Sequence, residues 1–138
     1  MSEIFKNADN TSATGKDFDV IIIGAGFAGM YMLHRMREMG LKSIVFEAGD
    51  GVGGTWYWNR YPGARCDVES VQYSYQFDKE LEQEWTWSEK YSPQPEILKY
   101  ANHVADRFKL RKDIRLNTRI TSSNYDEEKA EWEVVTEQ

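Results

Sequence analysis

The sequence predicts an α/β domain built around a parallel sheet, and three observations carry that prediction. Residues 18–23, FDVIII, form a short β-rich run that ends at a glycine, as a strand buried on both faces would. Residues 27–39 then place Phe27, Met30, Tyr31, Leu33 and Met36 at roughly helical spacing, with Gly40 where a helix-terminating glycine belongs. Residues 43–46 supply a second short apolar strand, followed by Glu47. Strand, helix and strand in such close succession imply a right-handed crossover and parallel pairing.

Composition narrows the partners. The chain has 138 residues, a one-domain length. Its 17 basic residues face 23 acidic ones, a net charge of −6, and no Lys/Arg run stands out. Nucleic acid and an anionic membrane are therefore not expected partners. Cys66 is the sole cysteine, so an internal disulfide is excluded, and with two histidines a Cys/His zinc site is not expected. The apolar run at 20–23 is far too short to span a bilayer. Residues 1–16 are polar and lack the basic-then-apolar order of a signal peptide. They read as a flexible leader, residues 17–138 as the folded domain, and the location as cytoplasmic.

The later elements follow from local pattern. Residues 47–63, EAGDGVGGTWYWNRYPG, hold five of the ten glycines beside Trp56, Tyr57, Trp58 and Tyr61. Glycine at that density excludes a regular helix, aromatics at that density argue against disorder, and a long irregular loop in a compact domain is usually functional. Residues 71–77 alternate loosely, as a strand does, and 78–84 read as a short helix. The Ser-Pro-Gln-Pro at 92–95 marks a capped helix start, running to about 109 and burying Ile97, Tyr100, Ala101, Val104 and Phe108. Residues 114–116 suit a third parallel strand. Residues 119–125 and 132–136, flanking the polar DEEKAE, suit an antiparallel hairpin.

Gly24-Ala25-Gly26-Phe27-Ala28-Gly29 is G-x-G-x-x-G between the first strand and the first helix. In that setting Gly24 allows the tight turn, Gly26 lets a pyrophosphate approach the backbone, and Gly29 lets helix and strand pack closely. The helix start adds free N–H groups and the positive end of its dipole. Glu47 stands at the end of the second strand, where a carboxylate accepts the hydroxyls of an adenosine ribose and repels a 2′-phosphate. FAD and NAD share this half-site. The glycine-rich aromatic loop that continues past Glu47, as though tracking a longer ligand, favours FAD.

At GVGGTWYWNRYPGARCDVES, residues 51–70, the chain resembles the FAD domain of type I Baeyer–Villiger monooxygenases, the group of the phenylacetone, steroid and cyclohexanone enzymes. The resemblance runs over nearly all of residues 18–137, including YSPQPEILKYANHVADRF, and GARCDVES lies nearer the phenylacetone and steroid enzymes than the cyclohexanone type. Related flavin monooxygenases, N-hydroxylating ones among them, share the Gly-Gly doublet but generally not the whole string. The resemblance implies a Rossmann-like FAD-binding domain, a parallel sheet with a β-α-β unit plus an antiparallel hairpin, incomplete at the C-terminus. It puts Gly24, Gly26, Phe27 and Gly29 on the FAD pyrophosphate and Glu47 on the ribose. It lines the flavin with Gly54, Thr55, Trp56, Tyr57 and Trp58, sets Asp67 and Tyr73 beside it, and brings Ile120 to the adenine. Arg65, Cys66 and Asp67 would meet the nicotinamide end of NADP, and Asp67 would orient a catalytic arginine outside this chain.

The implied reaction takes NADPH, O₂ and a ketone to an ester or lactone through a C4a-peroxyflavin. The family's second nucleotide motif, its His/Trp signature and its catalytic arginine have no counterpart here, so residues 1–138 alone are expected to be inactive and to need the remainder of the enzyme. Two other readings stand beside it: another class B flavin monooxygenase that hydroxylates nitrogen, and a non-catalytic dinucleotide-binding module. Plainer roles are open for single residues as well. Trp56 and Trp58 could be packing, Arg65 and Asp67 a surface ion pair, and Cys66 a small buried residue. His34 and His103 fall within expected helices.

Overall fold

The computed structural model describes residues 18–137 together with the backbone of residues 4–7, which form strand β1 (Ile4–Asn7). The flexible leader expected over 1–16 otherwise lies outside the described residues. β1 runs parallel to β6 (Glu131–Glu137), with Ile4 opposite Glu133. Beyond Gly24 the apolar period changes from strand to helix, and the chain changes with it: β2 (Val20–Ile23) gives way to α1 (Phe27–Glu38) and returns as β3 (Ser43–Phe46). β2 and β3 pair in parallel from Val20 opposite Ser43 to Ile23 opposite Phe46. A third strand, β4 (Ile114–Arg115), pairs in parallel with β3, giving the sheet order β2-β3-β4. β5 (Arg119–Asp126) and β6 form the antiparallel hairpin, with a register shift between Ile120 and Ser122.

Strand alternation distributes the core over both faces of the parallel sheet. On one face Ile22, Val45 and Ile114 pack with Met30 and Leu33 of α1 and with Ala101 and Ala105 of α4 (Gln94–Arg107). On the other face Ile44 and Phe46 pack with Ile21 and with Ile120 of the hairpin. The hairpin thus covers the sheet face opposite the helices, and it brings Thr118 and Ile120 to the ends of β3.

Two short helices complete the description. The loop expected to be irregular over 47–63 contains one helical turn, α2 (Thr55–Trp58). Helix α3 (Lys79–Glu84) starts as expected, with the Asp78 carboxylate accepting the Leu81 N–H at 2.7 Å, a side-chain cap. The strand expected over 71–77 is absent. Those residues form turns in which the Gln72 and Tyr73 N–H groups both donate to the Glu69 carbonyl, and the Tyr75 N–H donates to the Tyr100 hydroxyl at 3.0 Å. Local partners satisfy the backbone there, so no strand ladder is required. Ser92 does not cap α4 either. Pro93 holds the N-cap position without a side-chain bond, while the Ser92 hydroxyl is buried against that of Ser70.

The alternating aromatics of 71–77 instead build a cluster between α1, α3 and α4. Phe27 packs against Tyr73, Tyr75 and Tyr100, and Tyr100 in turn against Trp85 and Trp87. Desolvation pushes the Tyr100 phenol up to about 12, against the opposing effect of the Tyr75 amide that donates to it. Burial likewise raises the Tyr75 phenol well above its usual 10.0. An unfolded tyrosine ionises near 10, whereas folded Tyr100 stays neutral to about 12. Above pH 10 the unfolded chain therefore holds fewer protons, so this contribution to stability is complete below pH 10 and is lost as pH rises toward 12. Urea unfolding should give a lower free energy at about pH 11 than at about pH 9, with a smaller alkaline loss in Tyr100→Phe. Equal losses in both proteins would contradict this origin.

Candidate functional site

The glycine turn is shaped by its neighbours. Gly24 has φ +90°, a left-handed conformation that L side chains rarely adopt, and the space beside it is open for 4 Å. Gly29 lies against the turn itself, and a Cβ there would overlap the Gly24 carbonyl oxygen. Gly26 faces a second glycine loop: Gly54 Cα stands 3.5 Å from where a Gly26 Cβ would lie, and the Gly53 N–H donates to the Ala25 carbonyl at 3.0 Å. These backbones meet because neither carries a side chain.

Glu47 ties the two loops together. It is 5 % exposed, and its carboxylate accepts the Ala25 N–H at 2.7 Å and the Gly49 N–H at 2.8 Å. Each oxygen takes one backbone bond and keeps further acceptor capacity. The Glu47 backbone is itself locked to β4 and the hairpin, its N–H donating to Arg115 and its carbonyl accepting from Thr118.

Between these loops, outside the carboxyl ends of β2 and β3, lies a cleft of about 440 Å³. That volume is in the range of small-molecule and cofactor sites, roughly 300–1,000 Å³. Seven of the residues expected to bind cofactor line it: Gly24, Gly26, Glu47, Gly54, Thr55, Trp58 and Ile120. Ile23 and Trp58 leave 69 % and 58 % of their surface exposed there, apolar area that a flat ligand would cover. The first intrahelical bond of α1 runs from the Met30 N–H to the Gly26 carbonyl, so the N–H groups of Phe27, Ala28 and Gly29 have no helical partner. No acidic residue stands in that first turn. The arrangement suits a phosphate-bearing ligand with hydroxyls within reach of Glu47.

The remaining expected residues stand elsewhere. The side chain of Phe27 is in the aromatic cluster, and Tyr73 joins it while accepting the Trp56 indole N–H at 3.0 Å. Trp56 and Cys66 are buried together with Ile97. Tyr57 turns sideways onto its own loop, where its hydroxyl donates to Asp50. Arg65 does not pair with Asp67. Its guanidinium reaches Glu89 and the Tyr91 carbonyl, and Asp67 is exposed. His34 stacks between Phe77 and Phe108, and His103 meets Glu84 at 2.7 Å.

The same fold and fingerprint recur in known proteins. The description of the NAD(P)-binding Rossmann-like domain matches residues 22–103. The chain belongs to that family. Among curated relatives, a phenazine N-monooxygenase of Lysobacter antibioticus is 54% identical over 120 residues, which is 86% of this chain and 22% of that protein. A Baeyer–Villiger monooxygenase of Pseudooceanicola batsensis is 46% identical over 130 residues, 94% of this chain and 24% of that protein. A solved structure of oxidized steroid monooxygenase bound to NADP superposes with a TM-score of 0.83 at 60% identity, over 87% of this chain and 24% of that one. The chain thus spans about a fifth of the length of the curated relatives it matches.

In this member of the Rossmann-like family the cleft and its support also include residues that sequence reasoning missed. Thr118, Arg119, Asn59 and Ile23 line the cleft, and the Gln94 side chain donates to the Trp56 carbonyl, joining α4 to α2. Ile23 was recoverable as the last residue of the first parallel strand, since ligands sit beyond strand carboxyl ends. Arg119 and Gln94 carry no local signal.

The two glycines make separable predictions. Gly29→Ala should cost stability by about 1–3 kcal/mol through overpacking against the turn. Gly26→Ala, at φ −78° with only an ordinary contact to Gly54, should cost no more than about 1 kcal/mol, the preference for glycine over alanine at a helix N-cap. Denaturant titration of both variants checks the contrast; equal destabilisation would contradict the geometry.

Proposed function

We propose that this chain is the FAD-binding portion of a monooxygenase that uses NADPH and O₂ to convert a ketone to an ester or lactone, working in the cytoplasm. The supporting observation is a joint one. The cleft offers a glycine turn at a helix start, a buried carboxylate and exposed apolar walls, and a steroid monooxygenase shares the fold at 60% identity. On this reading residues 17–138 belong to one nucleotide-binding domain.

Within that reading the residues divide by task. The turn from Gly24 to Gly29 and the first N–H groups of α1 hold the pyrophosphate, with the dipole of α1 opposing its charge. Glu47 accepts ribose hydroxyls on the acceptor capacity its two backbone bonds leave over, and Ile120 packs toward the adenine. Gly54, Thr55 and Trp58 wall the cleft, and Trp56 supports that wall from beneath, fixed by its indole bond to Tyr73. FAD supplies the redox chemistry when bound. Arg65 and Cys66, on the segment that bridges to Pro93, face the NADP side, with Arg65 steadied by Glu89. Asp67, exposed on that segment, positions an arginine from outside this chain.

A second reading is carried by the phenazine N-monooxygenase at 54% identity: the same flavin platform would oxygenate an aromatic nitrogen. The two are separated in the complete protein with NADPH and O₂, offered ketones and phenazines in turn. The first reading predicts esters or lactones and no N-oxide; N-oxide alone would replace it with the second. In the same assay Asp67→Ala should cut product formation by about tenfold or more while NADPH-driven flavin reduction stays near the parent rate. Both rates falling together would remove Asp67 from that role.

A further inference from the structure

Three consecutive aromatics at 56–58 face three ways, and the middle one has no contact with the cleft. Trp56 enters the core and Trp58 lines the cleft. The ring of Tyr57 instead occupies space left by two glycines. A Cβ on Gly49 would lie 2.6 Å from Tyr57 Cε1, and one on Gly51 would lie 3.0 Å from Cε2. The Tyr57 hydroxyl donates to the Asp50 carboxylate and accepts the Asp50 N–H at 3.2 Å. The Arg60 guanidinium stands 4.7 Å from the ring centroid, and its Nε donates to the Tyr57 carbonyl at 2.6 Å. The Trp58 ring meets Tyr57 edge-on at 4.7 Å.

We infer that Tyr57 is a positioning residue, a latch that closes the loop after Glu47 onto α2 and so sets the cleft wall at Gly54 and Trp58 against the glycine turn. The loop is held along its length. Its start is held by Glu47 through the Gly49 N–H, its far end by the Gly53 bond to Ala25, and its middle by the Tyr57 ring between Gly49 and Gly51 with its hydroxyl on Asp50. The first is a bond to the Glu47 carboxylate and the second a backbone bond to the glycine turn, while Val52 is buried in the core and the Gly49 carbonyl accepts the Asn117 N–H. The Tyr57 latch ties the middle of the loop, at Gly49, Asp50 and Gly51, to α2 through a side chain, beside the backbone bonds that run from the Gly53 and Gly54 carbonyls into that helix. Without it the loop samples other shapes, and apparent affinity for the ligand falls by the fraction of protein left in the competent shape. The hydrogen bond to Asp50, with the carboxylate's charge beside it, holds the phenol above its ordinary value. This inference rests on the FAD reading for its main readout and has a second readout independent of it.

The test uses the complete protein and FAD. Tyr57→Phe keeps the ring in its seat and removes the hydroxyl; Asp50→Ala removes the partner. Each should raise the Kd for FAD about three- to tenfold, the loss of one solvent-exposed hydrogen bond. The double variant should bind no worse than either single one, and the absorbance spectrum of bound flavin should match the parent throughout. A shifted flavin spectrum would make Tyr57 a flavin-contacting wall and overturn the latch, as would additive losses in the double variant. Gly49→Ala and Tyr57→Ala should each weaken FAD binding, and the combined variant should bind no worse than the weaker single one, since both open the same latch; recovery of parent affinity in the combined variant would overturn it. If the parent takes up no FAD, the cofactor reading fails on its own. The latch is then read from limited trypsinolysis of ligand-free protein, where Tyr57→Phe should speed cleavage after Arg60 several-fold. Equal cleavage rates would overturn it.

Discussion

A buried carboxylate between two glycine loops sets the geometry on which the site depends. Withdrawing Glu47 from water costs free energy that its two backbone N–H donors must offset. Hydrogen bonds to a charged acceptor contribute roughly 1.5–3 kcal/mol each, and a buried one left unmade costs more than a made one gains. The Glu47 side chain is therefore committed to a position in which the turn after β2 and the loop after β3 face each other. The contact of Gly26 with Gly54 and the bond from Gly53 to Ala25 follow from that approach. So does the cleft, which opens where those backbones diverge.

The sheet supports this arrangement because β3 lies at its centre, between β2 and β4. Glu47 directly follows that central strand, and its backbone bonds to Arg115 and Thr118 leave it little freedom. The hairpin contributes in turn: by covering the second sheet face through Ile120 it brings Thr118 and Arg119 to the cleft. Both faces of the sheet thus serve packing, and the cleft lies beyond the strand ends. The relatives, among them a phenazine N-monooxygenase and a Baeyer–Villiger monooxygenase, match over this same stretch of chain. A shared Rossmann-like fold accounts for that pairing, since one fold hosts many activities.

Much of this was legible from residues alone, for reasons that differ by element. β2, α1 and β3 followed from the switch of apolar period at Gly24, because burial on both faces and then on one stripe leaves that imprint. The glycine turn and Glu47 followed from spacing tied to a fixed backbone geometry. Residues 71–77 misled because alternating aromatics suit a strand and an aromatic cluster equally well; Tyr75 found Tyr100 rather than a neighbouring strand. In the same way GTWYW reads as a row of ring contacts, while the structure sends Trp56, Tyr57 and Trp58 in three directions. A one-turn helix rotates successive side chains by about 100°, and no sequence pattern of three residues reveals which will meet the ligand. Arg119 and Gln94 reach their places only through tertiary contact.

The central claim is that one carboxylate both braces the two loops and receives the ribose. Replacing Glu47 with glutamine tests it directly, since an amide keeps the shape but sets an NH₂ group against one of the two backbone donors. Equilibrium binding of FAD to the complete protein, with circular dichroism to establish that the variant is folded, should show affinity lost by on the order of 1–3 kcal/mol, about five- to 150-fold in Kd. A folded Glu47→Gln protein that binds FAD as tightly as the parent would contradict the account.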